Sequence, residues 1–365
     1  MNKHFAAAMR QAALSTRALD VNEATKLIQD ALGVPVNTPA PKNTLGPGAL
    51  TRARQPLGAV VKTLHALRQK APAGRRPQVP IPDGAQFLLR NFAAAAGMRR
   101  YKLYIPAASR PRGLIVMLHG CTQNPDDFAA GTNMNAVAER HGLLVAYPEQ
   151  SQAANTSACW NWFNPADQLR DAGEPSIIAG MARHLQAEFS FDRSHSFVAG
   201  LSAGGAMAAV MSETYPDVFA AAGIHSGLAF NSAYDVMSAF AAMRGDIPLQ
   251  PAAKPQPIER GASRARIIVF HGSADETVSP SNAARIVAAA KSHLGRGLVA
   301  RTMRFSMNGR NGEQTLIDDL DGRPVIESWL VEGAGHAWSG GQADGSYTDP
   351  MGPDASGEFV RFFLG

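Results

Sequence analysis

Ten residues, Val198-Ala199-Gly200-Leu201-Ser202-Ala203-Gly204-Gly205-Ala206-Met207, constrain this chain more than any others. They pass from an apolar strand pattern through a glycine turn into a helix start. Within them Gly200-Leu201-Ser202-Ala203-Gly204 fits Gly-x-Ser-x-Gly, a strand-to-helix elbow that lifts a serine hydroxyl clear of the backbone. Residues two before and two after that serine crowd strand against helix, and glycine at both relieves the clash. The helix start also leaves N–H groups free to face an oxyanion. The flanks agree: Ser196 to Ala199 is a short apolar run, and Ala206 to Met211 is rich in helix formers. The plain alternative is a glycine-rich turn holding an idle serine.

Around the elbow the pattern predicts alternating strands and helices. Phe87–Phe92 and Tyr101–Ile105 read as an antiparallel strand pair, and Leu114–Leu118 and Leu143–Tyr147 as buried parallel strands. One helix is expected from Asp126 to His141 and another from Pro175 to Phe189. Phe219–Ile224 and Arg266–Phe270 read as further strands, Ser281–Leu294 as a helix, and Arg301–Phe305 and Val325–Val331 as a late β-rich stretch. Glu358–Leu364 closes the chain as a helix. The alternation predicts an α/β fold, a doubly wound, mostly parallel sheet with helices on both faces. The proline-bearing insertion from Ala229 to Ala265 reads as a lid or side loop.

Residues 1–84 read as a basic appendage to a catalytic domain over 85–365. The first 100 residues hold 15 Lys and Arg against 4 Asp and Glu, and the remainder 20 against 26, so the net charge of +5 belongs to the N-terminal part. Val21–Leu32 and Leu57–Leu67 carry helical apolar faces, separated by linker compositions at 34–48 and 71–84. The appendage is either largely disordered or an amphipathic element that meets a granule, a membrane surface or another subunit. No basic stripe interleaved with aromatics points to nucleic acid. No run approaches a membrane span, and the apolar run near Met1 is too short for a secretory signal and broken by Arg10. Apolar residues at 45% supply ample core, and two cysteines exclude a disulfide-dense scaffold.

A serine hydroxyl needs a general base, and the base needs an orienting carboxylate. In doubly wound hydrolases they follow in the order Ser, Asp or Glu, His. Asp275 lies just past the Arg266–Phe270 strand, and His336 follows the Val325–Val331 strand between small residues. Both reach the sheet edge where Ser202 stands, the usual edge for sites in open α/β sheets. His225 precedes the acid and breaks the order; His271 reads as structural, and His293 as a helix-surface residue. Asp318, Asp319 and Asp321 read as a solvated or capping turn. Two oxyanion donors are expected: the N–H of Ala203 and, from the loop after the first buried strand, that of Cys121. Trp160, Trp162 and Phe163 form an aromatic loop, read either as an anchor of buried rings or as an apolar wall for the ester.

From about Tyr101 to Gly365 the chain resembles the esterases of the poly(3-hydroxybutyrate) depolymerase family. The likeness rests on Tyr101-Lys102-Leu103-Tyr104-Ile105-Pro106, Leu118-His119-Gly120-Cys121-Thr122-Gln123, Cys159-Trp160-Asn161-Trp162-Phe163 and Gly173-Glu174-Pro175. It includes the elbow, Ile224-His225-Ser226-Gly227 and Gly335-His336-Ala337-Trp338. The resemblance implies an α/β-hydrolase fold, no cofactor or metal, and ester hydrolysis through an acyl-enzyme with Ser202, Asp275 and His336 as triad. It points to a Cys121–Cys159 disulfide between loops at neighbouring strand ends. Gln123, Trp160, Trp162 and Trp338 are the candidate substrate contacts. Short-chain polyhydroxyalkanoate is the expected substrate; feruloyl or acetyl esters of plant polysaccharide are the rival within enzymes. A granule-binding protein without catalysis is the rival from another class. The resemblance implies an extracellular protein and the N-terminal sequence does not, so the compartment stays open between outside and cytoplasm.

Overall fold

Five fully buried strands form the centre of the structure, a computed structural model that describes residues 79–246, 264–294 and 297–365. The helical patterns expected over 21–32 and 57–67, and the linker at 34–48, lie outside those residues. In chain order the strands of the main sheet are β1 (Gln86–Ala94), β2 (Gly97–Ile105), β3 (Gly113–Leu118), β4 (Leu143–Pro148), β5 (Ser196–Leu201), β6 (Ala221–His225), β7 (Arg266–Gly272), β8 (Val299–Met307), β9 (Arg310–Asp318) and β10 (Pro324–Val331); Trp338–Ser339 and Thr348–Asp349 form a separate short pair. Among the described residues the main sheet is ordered β1-β2-β4-β3-β5-β6-β7-β10-β9-β8. β4, β3, β5, β6, β7 and β10 run parallel; the β1–β2 pair joins one side antiparallel and β9–β8 the other.

Every residue of β3, β4, β5, β6 and β7 is buried, as expected for strands covered on both faces. The period-2 alternation then divides the core in two. Leu114, Val116 and Leu118 face one side, with α3 (Gly173–Phe189), α4 (Ala203–Thr214) and α6 (Ser281–Ser292). Ile115 and Met117 face the other, with α1 (Pro125–Thr132), α2 (Met134–His141) and α7 (Ala355–Leu364). The expected parallel sheet with helices on both faces is therefore present.

Three local expectations are corrected. The single helix expected over Asp126–His141 is two, because Asn133 adopts left-handed φ 52°, closing α1 and opening α2. Asn124 caps α1 by accepting from the Asp127 N–H, which fixes where that turn begins. The late β-rich stretch contains β9, whose polar start, Arg310-Asn311-Gly312-Glu313, masks the strand pattern. Asp318 accordingly ends that strand and pairs with Arg301 at 2.7 Å, while Asp319 and Asp321 lie in the expected turn, where Asp319 Oδ1 accepts from the Asp321 and Arg323 amides. The expected insertion contains α5 (Val236–Met243) with a capping box at Asp235 and Ser238; 247–263 lie outside the described residues.

The elbow is the tightest joint in the sheet. A Cβ on Gly204 would lie 1.9 Å from the Leu118 carbonyl oxygen, and one on Gly200 2.4 Å from the Gly204 backbone. Such contacts cannot relax by side-chain motion. Gly204→Ala should therefore lose at least about 3 kcal/mol of stability, the upper range for overpacking. Gly335, whose Cβ would meet nothing within 4 Å, supplies the control: Gly335→Ala should stay within about 0.5 kcal/mol. Chemical denaturation of both variants checks the contrast.

Candidate active site

Ser202 sits between β5 and α4 with φ 57° and ψ −119°, a conformation non-glycine residues seldom hold. Its amide is bound by the His225 carbonyl at 2.9 Å, so the end of β6 holds the turn in place. Asp275 lies beyond β7 and His336 beyond β10, both at the same C-terminal edge of the parallel strands.

The structure brings Asp275 and His336 together. His336 Nδ1 donates to Asp275 Oδ2 at 2.8 Å, and Asp275 Oδ1 accepts from the Thr277 and Val278 amides, each at 2.9 Å. Both carboxylate oxygens are thus engaged and the side chain is wholly buried. Burial on its own would raise this carboxyl, but the electrostatic attraction of the adjacent His336 ring and the bonds from His271 and His336 hold it well below the ordinary carboxylate range. An ionised Asp275 is acceptor-only, so His336 carries its proton on Nδ1 and presents a lone pair on Nε2. Among the described residues no hydrogen bond joins His336 to Ser202. Such contacts are often long without substrate.

The other histidines are committed elsewhere. His225 Nε2 accepts from the Ser339 amide at 3.0 Å, its Nδ1 meets Ser226 Oγ, and its ring lies against Phe270 and Trp338. His271 Nε2 donates to Val278 O at 2.9 Å and lies 3.4 Å from Asp275 Oδ2. His119 Nδ1 donates to Gly120 O and its Nε2 accepts from Gln150 N. Burial lowers His119, and burial with the neighbouring His271 and His336 lowers His225 to about 3.

The turn Gly120–Gln123 after β3 binds three of its four amides. Gly120 N donates to Gln123 Oε1, Thr122 N to Ser157 O, and Gln123 N to Gly120 O. Cys121 N has no such partner among the described residues, and Ala203 N opens α4. Cys121 is disulfide-bonded to Cys159, 38 residues on. A cross-link of this span stabilises a fold by about 3–4 kcal/mol in chain-entropy models. It ties the Cys121 turn to the tryptophan loop.

The expected substrate contacts are corrected. Trp160 and Trp338 are sealed from solvent, and Trp162 nearly so. Trp160 Nε1 donates to His119 O, and Trp338 Nε1 to Ser356 Oγ. Trp162 packs edge-on against Phe163. Trp160 and Trp338 anchor loops, because a buried indole that has found its acceptor offers no face to a ligand. Gln123 is also buried: besides Gly120 N it binds Asp127 and Ser346 through Nε2. It shapes the turn rather than facing solvent.

Two groups escape the sequence reading. Glu174 is buried at the start of α3 and accepts from Asn161 N and Nδ2, both at 2.8 Å, and from Gln150 Nε2. Burial, with Asp167 beside it, raises its carboxyl. It fastens the tryptophan loop, and the Gly-Glu-Pro sequence signals only a helix start. Tyr347, left-handed at φ 54°, meets Thr122 Oγ1 through its hydroxyl at 3.2 Å, next to Cys121. No spacing in the sequence joins positions so far apart.

A family model described as Esterase PHB depolymerase matches residues 99–306. The chain belongs to the esterase PHB depolymerase family. It is 33% identical over 254 residues to poly(3-hydroxyalkanoate) depolymerase C of Paucimonas lemoignei, covering 67% of this chain and 60% of that one. It is 31% identical over 201 residues to feruloyl esterase B of Neurospora crassa, covering 50% and 65%. The chain thus spans under two thirds of the length of these relatives. The solved acetyl xylan esterase from Aspergillus awamori superposes with TM-score 0.59 at 24% identity, over 77% of this chain and 98% of that one. The shared fold is the α/β-hydrolase fold. Among the described residues no helix is long and apolar enough to cross a membrane.

The neutral, buried His225 gives this family member an acid limb. Its folded pKa lies below the unfolded value of about 6.5, so the unfolded chain takes up a proton that the folded one refuses. Stability is full above about pH 6.5 and falls toward pH 3, by up to about 1.4 kcal/mol per pH unit from this group. His225→Gln keeps an acceptor for Ser339 N without the proton linkage. Urea melts between pH 7 and 4 should show a shallower decline in the variant than in the parent.

Proposed function

We propose that this chain is a serine esterase cleaving short-chain polyhydroxyalkanoate esters through an acyl-enzyme. Ser202 Oγ attacks the ester carbonyl as His336 Nε2 takes its proton. The amides of Ala203 and Cys121 stabilise the tetrahedral oxyanion, a term whose loss typically costs about 10²–10³ in rate per donor. His336 then returns the proton to the leaving alcohol. Water, deprotonated by the same nitrogen, releases the hydroxy acid and restores Ser202. Asp275 holds the imidazole in the required tautomer and supports its charge as it becomes imidazolium.

The observation that carries this reading is the buried Asp275–His336 bond at the sheet edge where the strained elbow ends. The open Cys121 amide supports the oxyanion assignment, since the amides of Gly120, Thr122 and Gln123 around it are already bound. The substrate class rests on the likeness to poly(3-hydroxyalkanoate) depolymerase C. The likeness to feruloyl esterase B keeps aryl esters as the competing class.

Ser202→Ala should remove hydrolysis of soluble short-chain esters and labelling by a serine-directed phosphonate, with the fold retained. Asp275→Asn should lower kcat by as much as about 10⁴. Parallel assays on poly(3-hydroxybutyrate) suspension, 3-hydroxybutyrate oligomers, methyl ferulate and acetylated xylan test the substrate. Hydroxybutyrate esters should be turned over fastest. Preference for ferulate or acetyl-xylan would move the protein to the competing class. Full activity in Ser202→Ala would end the mechanism, and an unlabelled, inactive parent would favour a granule-binding protein.

A further inference from the structure

The opposite end of the sheet holds a cavity that ester hydrolysis does not use. Where the parallel strands begin, a recess of about 370 Å³ is lined by Arg112, Arg193, Arg264, Arg266 and Arg323, with no carboxylate in its wall among the described residues. Arg112 precedes β3, Arg193 precedes β5, Arg264 precedes β7 and Arg266 opens it, and Arg323 precedes β10. Ser202, Asp275 and His336 stand beyond the other ends of these strands. The two sites are therefore separated by the length of the sheet.

Five guanidiniums around one recess repel one another, and a low-dielectric wall strengthens that repulsion. Part of the charge is answered. Arg264 pairs with Glu213 at 3.1 Å, Arg193 reaches the Pro216 and Arg264 carbonyls, and Arg266 donates to Phe363 O at the end of α7 at 2.9 Å. Helix-end carbonyls carry a partial negative charge, which suits Arg266. Arg112 and Arg323 are different: both are exposed at the rim, and neither side chain has a partner among the described residues. Arg266 is buried beside them, and burial with the nearby Arg323 lowers its pKa to about 10. It stays charged at neutral pH, so the repulsion persists.

A guanidinium presents donors in a planar fork that matches phosphate oxygens, and a single-sign cleft concentrates counter-ions of the opposite sign. A monovalent anion leaves most of the charge unanswered, whereas linked phosphates place several charges within one recess. We infer that this cavity is a binding site for a compact oligophosphate, a diphosphate or triphosphate group, held between the Arg112 and Arg323 rim and the Arg266 floor. The inference is independent of the esterase reading, because no residue is shared between the two sites.

Calorimetric titration of the full chain at physiological salt tests it, with pyrophosphate, tripolyphosphate and ADP as ligands and acetate as control. Pyrophosphate or tripolyphosphate should bind saturably at one site and acetate should not. Comparable affinity for pyrophosphate and ADP would assign recognition to the phosphates alone; tighter ADP binding would add the nucleoside as part of the ligand. Arg323→Gln and Arg112→Gln each remove one rim charge from an exposed position without touching the fold's packing. Each should weaken pyrophosphate binding roughly tenfold or more, the effect of losing a charge-assisted hydrogen bond. Thermal melts and soluble-ester turnover should match the parent, which separates this outcome from misfolding. Absence of saturable binding at millimolar pyrophosphate, or unchanged affinity in a folded Arg112→Gln/Arg323→Gln double variant, overturns the inference.

Discussion

The approach of α4 to the end of β3 governs this structure. Gly204 packs its backbone against the Leu118 carbonyl so closely that no side chain fits between them. That contact fixes where the helix leaves the strand, and hence the unusual backbone of Ser202. The amide bond from Ser202 to the end of β6 then secures the strained residue from its other side. Strain of this kind persists only when neighbours over-determine it. Here the neighbours are main chain on three adjacent strands, which side-chain motion cannot relieve.

From that joint the site extends by rigid links. His225 joins the end of β6 to Ser339, three residues past His336. Ala274 N bonds to Ala334 O at 2.9 Å, so the loops bearing Asp275 and His336 are stitched together before their side chains meet. On the other flank, Gln123, the Cys121–Cys159 bond and the Trp160–His119 bond hold the turn that presents the Cys121 amide. Glu174 fastens the tryptophan loop in turn. Such a shell limits how far the reacting groups can stray, and small displacements there are costly in rate.

Much of this was legible in the sequence, for reasons that differ by element. Buried parallel strands write themselves as continuous apolar runs, so β3, β4, β5 and β7 stand out. The elbow is legible because its steric demand falls on two glycines, Gly200 and Gly204, each two residues from Ser202. Asp275 and His336 follow from chain order at strand ends. The aromatic loop was less legible: a tryptophan has the same composition whether it anchors a loop or lines a cleft. Only the acceptor for its indole decides, and for Trp160 and Trp338 those acceptors lie 41 and 18 residues away. Asn133 was read as helix because one left-handed residue scarcely alters the apolar periodicity on either side. β9 was missed because its first residues are polar on a strand that is half exposed.

The four histidines at the C-terminal edge of the parallel strands show how packing gives identical side chains different surroundings. His119 has both ring nitrogens in bonds, and so does His225. His271 spends Nε2 on Val278 O and leaves Nδ1 buried without a partner, out of reach of any substrate. His336 has one nitrogen committed to a buried carboxylate and the other neither bonded nor sealed in, among the described residues. A general base needs that combination: an orienting partner on one side and an open lone pair on the other. The division follows from backbone position, since His225 lies within β6 and His271 within β7, where the sheet surrounds their rings. His336 stands five residues past β10, between glycine and alanine, where the chain has left the sheet and small neighbours leave room for the ring, whose side chain keeps only a small exposed edge.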